Sequence, residues 1–304
     1  MAALAKKKKR IRAKEDIVID TIIMVVMIFV LFVTAYPFYY TIVQAFNNGV
    51  DSTLGGVYFW PRRPSLENFE TLLADASWGN AIVISVARTV IGTVLGLLAT
   101  SAVAYALSFE HVLFRGGYYK LYIFTMYFSG GLIPFYILLK SLGLLNTFWV
   151  YVIPGMLNVY YMLILVNFFQ TIPRSLYESA WLDGAGDIRV FLQIALPLSK
   201  ASLATIALFF AVSQWNSWMD SVYYVTKSEL RPMAYLMMDI INKSATASSV
   251  MTAQAQGHAA SAMQSTTTSL QMASMVLAVV PILAVYPFLQ KYFVKGVMIG
   301  SVKG

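Results

Sequence analysis

The chain has 304 residues, of which 59% are hydrophobic and 12% charged, and its mean hydropathy is +0.67. Soluble domains average about 45–50% apolar and about 25% charged residues, so this composition excludes an ordinary water-soluble domain and predicts a polytopic membrane protein. The net charge of +8 does not predict a nucleic-acid binder, because seven of the 22 basic residues lie within the first 14 positions, beside an apolar segment. The absence of cysteine excludes disulfides and thiolate chemistry, and two histidines, His111 and His258, are too few for a multi-histidine metal site.

In chain order, a basic tail (1–16) precedes a first transmembrane helix at 17–43, which is too long for a signal-peptide core and has no small-residue cleavage site after it. Pro37 is expected to kink or end that helix. Residues 44–79 form an extracytoplasmic segment with turns at Gly49, Gly55, Gly56, Pro61 and Pro64, the last leading into a short surface helix. A transmembrane core follows at 80–290, with spans expected at 81–107, 118–139, 147–169, 202–225 and 270–289. Within the third, Ser129-Gly130-Gly131 and Pro134 predict a bend or close helix packing, with a pore loop as the alternative. Residues 244–269 are rich in Ala, Ser, Thr and Gln and read as a mobile stretch or a helix extension. A C-terminal tail (291–304) completes an all-α fold with about six transmembrane helices. No internal repeat is visible, which argues against a secondary transporter built from inverted repeats.

Lysine and arginine in the flanks set the orientation. The N-terminal tail, the loop with Arg115 and Lys120, the loop with Arg174, Arg189 and Lys200, and the tail with Lys291, Lys295 and Lys303 are the basic set. These alternate segments are expected on the cytoplasmic side, which places both termini there.

The loop at 171–200 carries the most information. Pro173 suits the first turn of a helix, and Ser175 with Glu178 forms a possible capping box. Tyr177, Ala180, Trp181 and Gly184 fall on one face. Gly184-Ala185-Gly186 then breaks the helix, Asp187 can cap a second one, and Pro197 is expected to end it. Ile188, Phe191, Leu192 and Ala195 share a face of this second helix. Two amphipathic helices in one loop are suited to docking on another protein.

Here the sequence resembles a known family. Glu178-Ser179-Ala180, then Gly184, then Ile194-Ala195-Leu196-Pro197 resemble the EAA loop of ATP-binding-cassette (ABC) importer permeases, with Ser179 in place of an alanine. Phe128–Pro134, Leu142–Asn146, Trp215-Asn216-Ser217-Trp218 and the last fourteen residues resemble the MalG-like permeases of carbohydrate uptake. The similarity is greatest to the LplC/YtcP branch, associated with complex oligosaccharides.

The resemblance implies a type I importer with a second, non-identical permease, a dimer of ATPase subunits, an extracytoplasmic solute-binding protein and a carbohydrate substrate. It also implies location in the bacterial cell membrane. This chain lacks a Walker phosphate loop, so it binds no cofactor of its own, and ATP and Mg are expected on the ATPase subunits. The resemblance further implies an ATPase-coupling set of Tyr177, Glu178, Ser179, Ala180, Trp181, Asp183, Gly184, Ile194, Leu196 and Pro197. In that set Glu178 meets a basic group of the ATPase, Gly184 permits the turn, and Tyr177, Ala180 and Trp181 form a buried docking face. For Glu178 a solvated helix-cap carboxylate is the alternative. The C-terminal tail either reaches the ATPase interface or merely anchors.

Candidate pathway residues within or near the spans are Arg88, Asn158, Tyr160, Tyr161, Asn167, Gln214, Trp215, Asn216 and Trp218. Arg88 is the one charge well inside a span; it serves function, snorkels, or pairs across a helix interface. Trp215 and Trp218 line the pathway or form part of an interfacial belt. A permease for another solute, such as an amino acid or phosphonate, remains open on the EAA loop alone. An ion-coupled carrier calls for intramembrane carboxylate pairs that the spans lack, and a membrane enzyme for a catalytic cluster that is also missing.

Overall fold

The computed structural model describes residues 14–253 and 268–284. The tails at 1–13 and 291–304, the end of the last expected span and the centre of the Ala/Ser/Thr/Gln stretch lie outside the described residues. Every named element among the described residues is helical.

Helix α1 (Lys14–Ala45) runs through Pro37 instead of ending there. The ring removes one ladder donor, but the chain stays helical and the Thr41 hydroxyl donates to the Pro37 carbonyl at 2.9 Å. The segment at 44–79 is more ordered than its turn residues suggested. Asn48 caps a short helical turn, Gly49–Thr53, by accepting from the Val50 and Asp51 amides. An antiparallel bridge joins Asn47 to Pro64. The Asn68 amide donates to the Ala45 and Asn47 carbonyls at 2.9 and 2.8 Å, tying α2 (Glu67–Ala74) to the end of α1.

Helix α3 (Ala76–Ser108) is the central rod, capped by Asp75. Its buried stripe reads Ala81, Ser85, Arg88, Gly92, Gly96, Thr100 and Ala104. Lipid tails are as apolar as side chains, so helices in a bilayer associate through close packing, and small residues permit it. A Cβ at Gly92 would lie 2.7 Å from Gln214 Nε2, and one at Gly96 would lie 2.8 Å from Phe210 Cε1.

About six spans are expected from the sequence; among the described residues, α1 and α3 are long and apolar enough to cross a membrane alone. Three bent pairs raise the possible crossings to five. Helices α4 (Arg115–Tyr127) and α5 (Leu132–Ser141) meet at 114°, with Gly131 at φ +86° in the break. The sequence located this bend but not its size. Two 3-10 turns, Phe148–Tyr151 and Ile153–Gly155, lead at 48° into α6 (Val159–Gln170).

After α7 (Arg174–Leu182), α8 spans Asp187–Leu198 and meets α9 (Lys200–Asn216) at 87°. Span five, expected to reach residue 225, stops at Asn216 and resumes as α10 (Met219–Tyr224). The Ser217 carbonyl at this break accepts from Arg88. Helix α11 (Met233–Ala253) and α12 (Thr268–Ala284) complete the described chain.

Two buried clusters lie at opposite ends of α3. One joins Trp78 and Ala81 to Ala45, Leu72, Met233 and Ala273. The other joins Ala104, Tyr105 and Leu107 to residues of α6, α7, α8 and α9.

Candidate functional site

Helices α7 and α8 are joined by a tight turn whose geometry requires glycine. Ala185 N donates to Ala180 O at 2.9 Å and Gly184 N to Trp181 O at 3.0 Å, with Gly184 at φ +79°. This is the Schellman pattern, in which the residue after the helix is left-handed. A Cβ at Gly184 would meet nothing within 4 Å, so its constraint is conformational and not steric. Replacement by Val should therefore cost about 1–2 kcal/mol of local stability, and replacement by Asn, which tolerates this conformation, clearly less. Thermal unfolding of the two purified variants gives the comparison.

The caps differ from expectation. Pro173 takes the cap position of α7 and no side chain caps it, so the Ser175/Glu178 box does not form. Gly186 takes that position for α8. Asp187 instead lies in the first turn, where a carboxylate suits the helix dipole, and its Oδ1 accepts from Trp181 Nε1 at 3.1 Å. That bond crosses the glycine turn. Pro197 lies inside α8, which continues to Leu198 after a wide turn over Phe191–Ala195.

The apolar face of α7 packs within the chain. Tyr177, Ala180 and Trp181, expected as a buried docking face, lie on the end of α3 and on α8. Tyr177 is buried, with its ring 6.1 Å from Tyr105 and 5.3 Å from Phe109. Trp181 lies 5.7 Å from Phe109, and Phe191 of α8 lies 5.2 Å from Tyr105. Ring pairs at these separations add about 0.5–1.5 kcal/mol each beyond their burial. Burial, aided by the neighbouring Tyr105, pushes the Tyr177 phenol up to about 12, so it stays neutral.

Ile194 and Leu196 also pack into this core. An ion pair of 3.0 Å between Arg174 and Glu110 ties the start of α7 to the loop after α3. The hydrogen bond from Arg174, and then its charge, hold the Glu110 carboxyl below the usual carboxylate range.

What remains outward is a different surface. Glu178, Ser179, Asp183 and Gly184 are exposed, with Leu182 at 89% and Ile188 at 76% exposure. Large apolar side chains this open beside carboxylates mark a surface that another molecule covers. Glu178 makes no hydrogen bond or ion pair among the described residues. Tyr105 and Phe109 were not singled out in the sequence, because an aromatic residue at a span end reads equally well as part of an interfacial belt.

The candidate pathway residues divide. All five N–H groups of Arg88 are engaged: Nε and Nη2 donate to Gln214 Oε1, Nη1 to Ser217 O and Asp220 Oδ1, and Nη2 to Asp220 Oδ2 at 2.5 Å. Its guanidinium also lies 4.4 Å from the Tyr151 ring centroid. Arg88 is 1% exposed, so of its three possibilities the structure displays pairing across helices.

Asn158 caps α6 by accepting from the Tyr161 amide at 3.0 Å. Tyr161 packs on Phe209 and Phe210. The Trp215 indole donates to the Ala278 carbonyl at 3.1 Å, holding α9 against α12. Asn167 turns back on its own helix at the Leu163 carbonyl. Asn216 is exposed beside the half-buried Trp218, and Tyr160 is also exposed.

Comparison with known proteins bears on this arrangement. No protein-family model matches the sequence. The chain is 39% identical to protein LplC of Bacillus subtilis over 273 residues, covering 90% of each chain. It is 37% identical over 268 residues to the polygalacturonan/rhamnogalacturonan transport system permease protein YtcP of the same organism, covering 88% of this chain and 92% of that one. Among solved structures, a chain of a bacterial ABC transporter that imports the acidic polysaccharide alginate superposes with a TM-score of 0.79. That match is 25% identical and covers 94% of this chain and 100% of the other. Identity at this level over nine-tenths of the length, together with the shared helical architecture, shows that the chain belongs to the carbohydrate-uptake family of ABC importer permease subunits.

Proposed function

We propose that this chain is one of two non-identical permeases of a binding-protein-dependent importer that carries an oligosaccharide into a bacterial cell. In this reading, ATP is hydrolysed on partner ATPase subunits and not on this chain. The observation that carries the reading is the outward surface of α7 and α8, with Glu178, Leu182, Asp183 and Ile188 clustered around the Gly184 turn. A rigid pair of helices with exposed apolar and acidic residues is suited to a groove on a basic-rimmed partner. The names of YtcP and of the alginate importer support a saccharide as the cargo.

Division of labour follows from the geometry. The aromatic contacts of Tyr177 and Trp181 bind α7 to α3, so force applied at Glu178 and Ile188 reaches α3 without slack. Glu178 supplies the charged contact to the ATPase, and Gly184 with Ser179 keeps the turn low enough to seat. Asn216 and Trp218, with Asn158 and Tyr161, are the side chains offered to the sugar. Arg88 and Trp215 act by holding α9 in place. The basic segments support a cytoplasmic side for the coupling helices and both termini.

Co-purification tests this reading. A tagged chain expressed with its neighbouring genes should bring down a second permease and an ATPase. The complex in vesicles should take up a labelled oligosaccharide only when ATP and the binding protein are supplied. Uptake by this chain alone, or uptake of an amino acid but not of any oligosaccharide, would overturn it.

A further inference from the structure

The segment between α1 and α2 contains a loop whose place in the molecule fixes its depth relative to the bilayer. From Ile17 to Tyr36, helix α1 rises about 29 Å at 1.5 Å per residue, close to the ~30 Å of a hydrocarbon core. Tyr36, Tyr39 and Tyr40 therefore lie at the interface remote from α7 and α8. The loop folds back along this part of the helix. Gln44 donates to the Val57 carbonyl at 2.9 Å, the Tyr39 hydroxyl donates to the Phe59 carbonyl, and the Phe59 ring lies 6.0 Å from Tyr36.

The base of the loop is fixed. Asn48 N donates to Arg63 O and Ser65 N to Phe46 O, both at 2.9 Å. The buried Asp51 carboxylate pairs with Arg62 at 3.2 Å and also accepts from Asn47. From this held base, Leu54, Tyr58, Phe59 and Trp60 project outward, each more than half exposed, with Trp60 at 79%.

We propose that residues 54–60 are a membrane anchor seated in the lipid headgroup layer, on the side opposite the coupling helices. Three observations favour lipid as the occupant. The loop lies alongside the part of α1 where the span ends, so the lipid-facing wall of α1 continues into it. Tyr, Phe and Trp at that depth, next to Arg62 and Arg63, are the residue types the interface selects, because each joins an apolar body to a polar tip. Three of the loop's carbonyls, those of Gly55, Val57 and Phe59, are held by the side chains of Arg62, Gln44 and Tyr39, while Tyr58, Phe59 and Trp60 stay exposed. With the tyrosines of α1, this loop would complete an aromatic belt built from two distant stretches of sequence and fix the height at which the 44–75 segment stands.

The absence of cysteine gives a direct test. Trp60→Cys and, separately, Tyr58→Cys are labelled with an environment-sensitive fluorophore in the full chain. Each is placed in phosphatidylcholine–phosphatidylglycerol nanodiscs and measured before and after unlabelled partner subunits are added. Glu70→Cys serves as a water-side reference and Phe29→Cys as a core reference. Headgroup spin-labelled lipid should quench the labels at positions 58 and 60 several-fold more than the one at 70. Deep acyl-chain spin labels should quench most at 29, and both patterns should persist in the assembled complex. Labels at 58 and 60 that behave like the one at 70 would overturn the proposal. So would labels that lose lipid quenching when the partner subunits or the binding protein bind, since a protein would then be the occupant.

Discussion

Glu178→Ala should leave the chain inserted, assembled and able to support basal ATP hydrolysis, while oligosaccharide uptake falls by thirty-fold or more. The size follows from the proposed role. Truncating one partner of a desolvated charge pair at an interface costs about 2–5 kcal/mol, much of it the penalty of stranding the other charge. The fold should not register the change. Glu178 is exposed and makes no contact with a charged or hydrogen-bonding group among the described residues, so a surface-scale effect within about 0.5 kcal/mol is expected.

The readouts are labelled-sugar uptake in vesicles, ATPase activity with and without loaded binding protein, and co-purification. Glu178→Gln should likewise leave assembly intact and restore little of the coupling. Wild-type uptake in the alanine variant would reduce Glu178 to a solvated carboxylate. The companion variant Ile188→Asp tests the same surface through its apolar half and should weaken co-purification of the ATPase.

The second large effect is structural. Asp220→Ala should lower stability by about 3–5 kcal/mol, because it leaves the Arg88 guanidinium buried without its counter-charge. Arg88→Ala should cost a similar amount, since Gln214 Oε1, the Ser217 carbonyl and the Asp220 carboxylate would all lose donors. The double variant Arg88→Met/Asp220→Leu should be markedly less damaged than the sum of the two single changes. A buried pair replaced by apolar residues of similar size is often close to neutral. Thermal unfolding of the detergent-solubilised chain, arranged as a double-mutant cycle, measures the coupling. Additive losses would mean that the two side chains do not act as a pair.

How much of this could be read from the sequence differs by feature. Helices α1 and α3 were legible because an apolar run of that length matches the thickness of a bilayer and little else. The turn at Gly184 was legible because glycine between two amphipathic stretches has a specific backbone use. The destination of the α7 apolar face was not. Periodicity identifies a face to be covered and is silent on whether the cover is the same chain or another. The ladder of Tyr105, Phe109, Tyr177, Trp181 and Phe191 draws on three helices, and nothing local announces that they meet.

The same holds for Arg88 and Asp220. Arg88 stood out as a charge in an apolar span, but Asp220 lies 132 residues away, and their partnership depends on where α9 breaks. Broken spans were partly legible: Gly130 and Gly131 marked the place, whereas nothing in their spacing gives the 114° angle.

Helix α3 is grasped at both ends. Trp78 and Ala81 belong to the cluster that includes the segment beyond α1, Arg88 holds the α9–α10 break, and Tyr105 is locked to α7. The rod between Trp78 and Tyr105 is roughly 40 Å long. A stiff element held at two remote points has few independent ways to move, so a change in tilt at one end is felt at the other. By thermodynamic linkage such an influence runs equally in both directions. Whatever fraction of its binding energy a loaded partner spends in reorienting the Trp78 end must reappear, with the same factor, in the affinity of whatever holds the Tyr105 end.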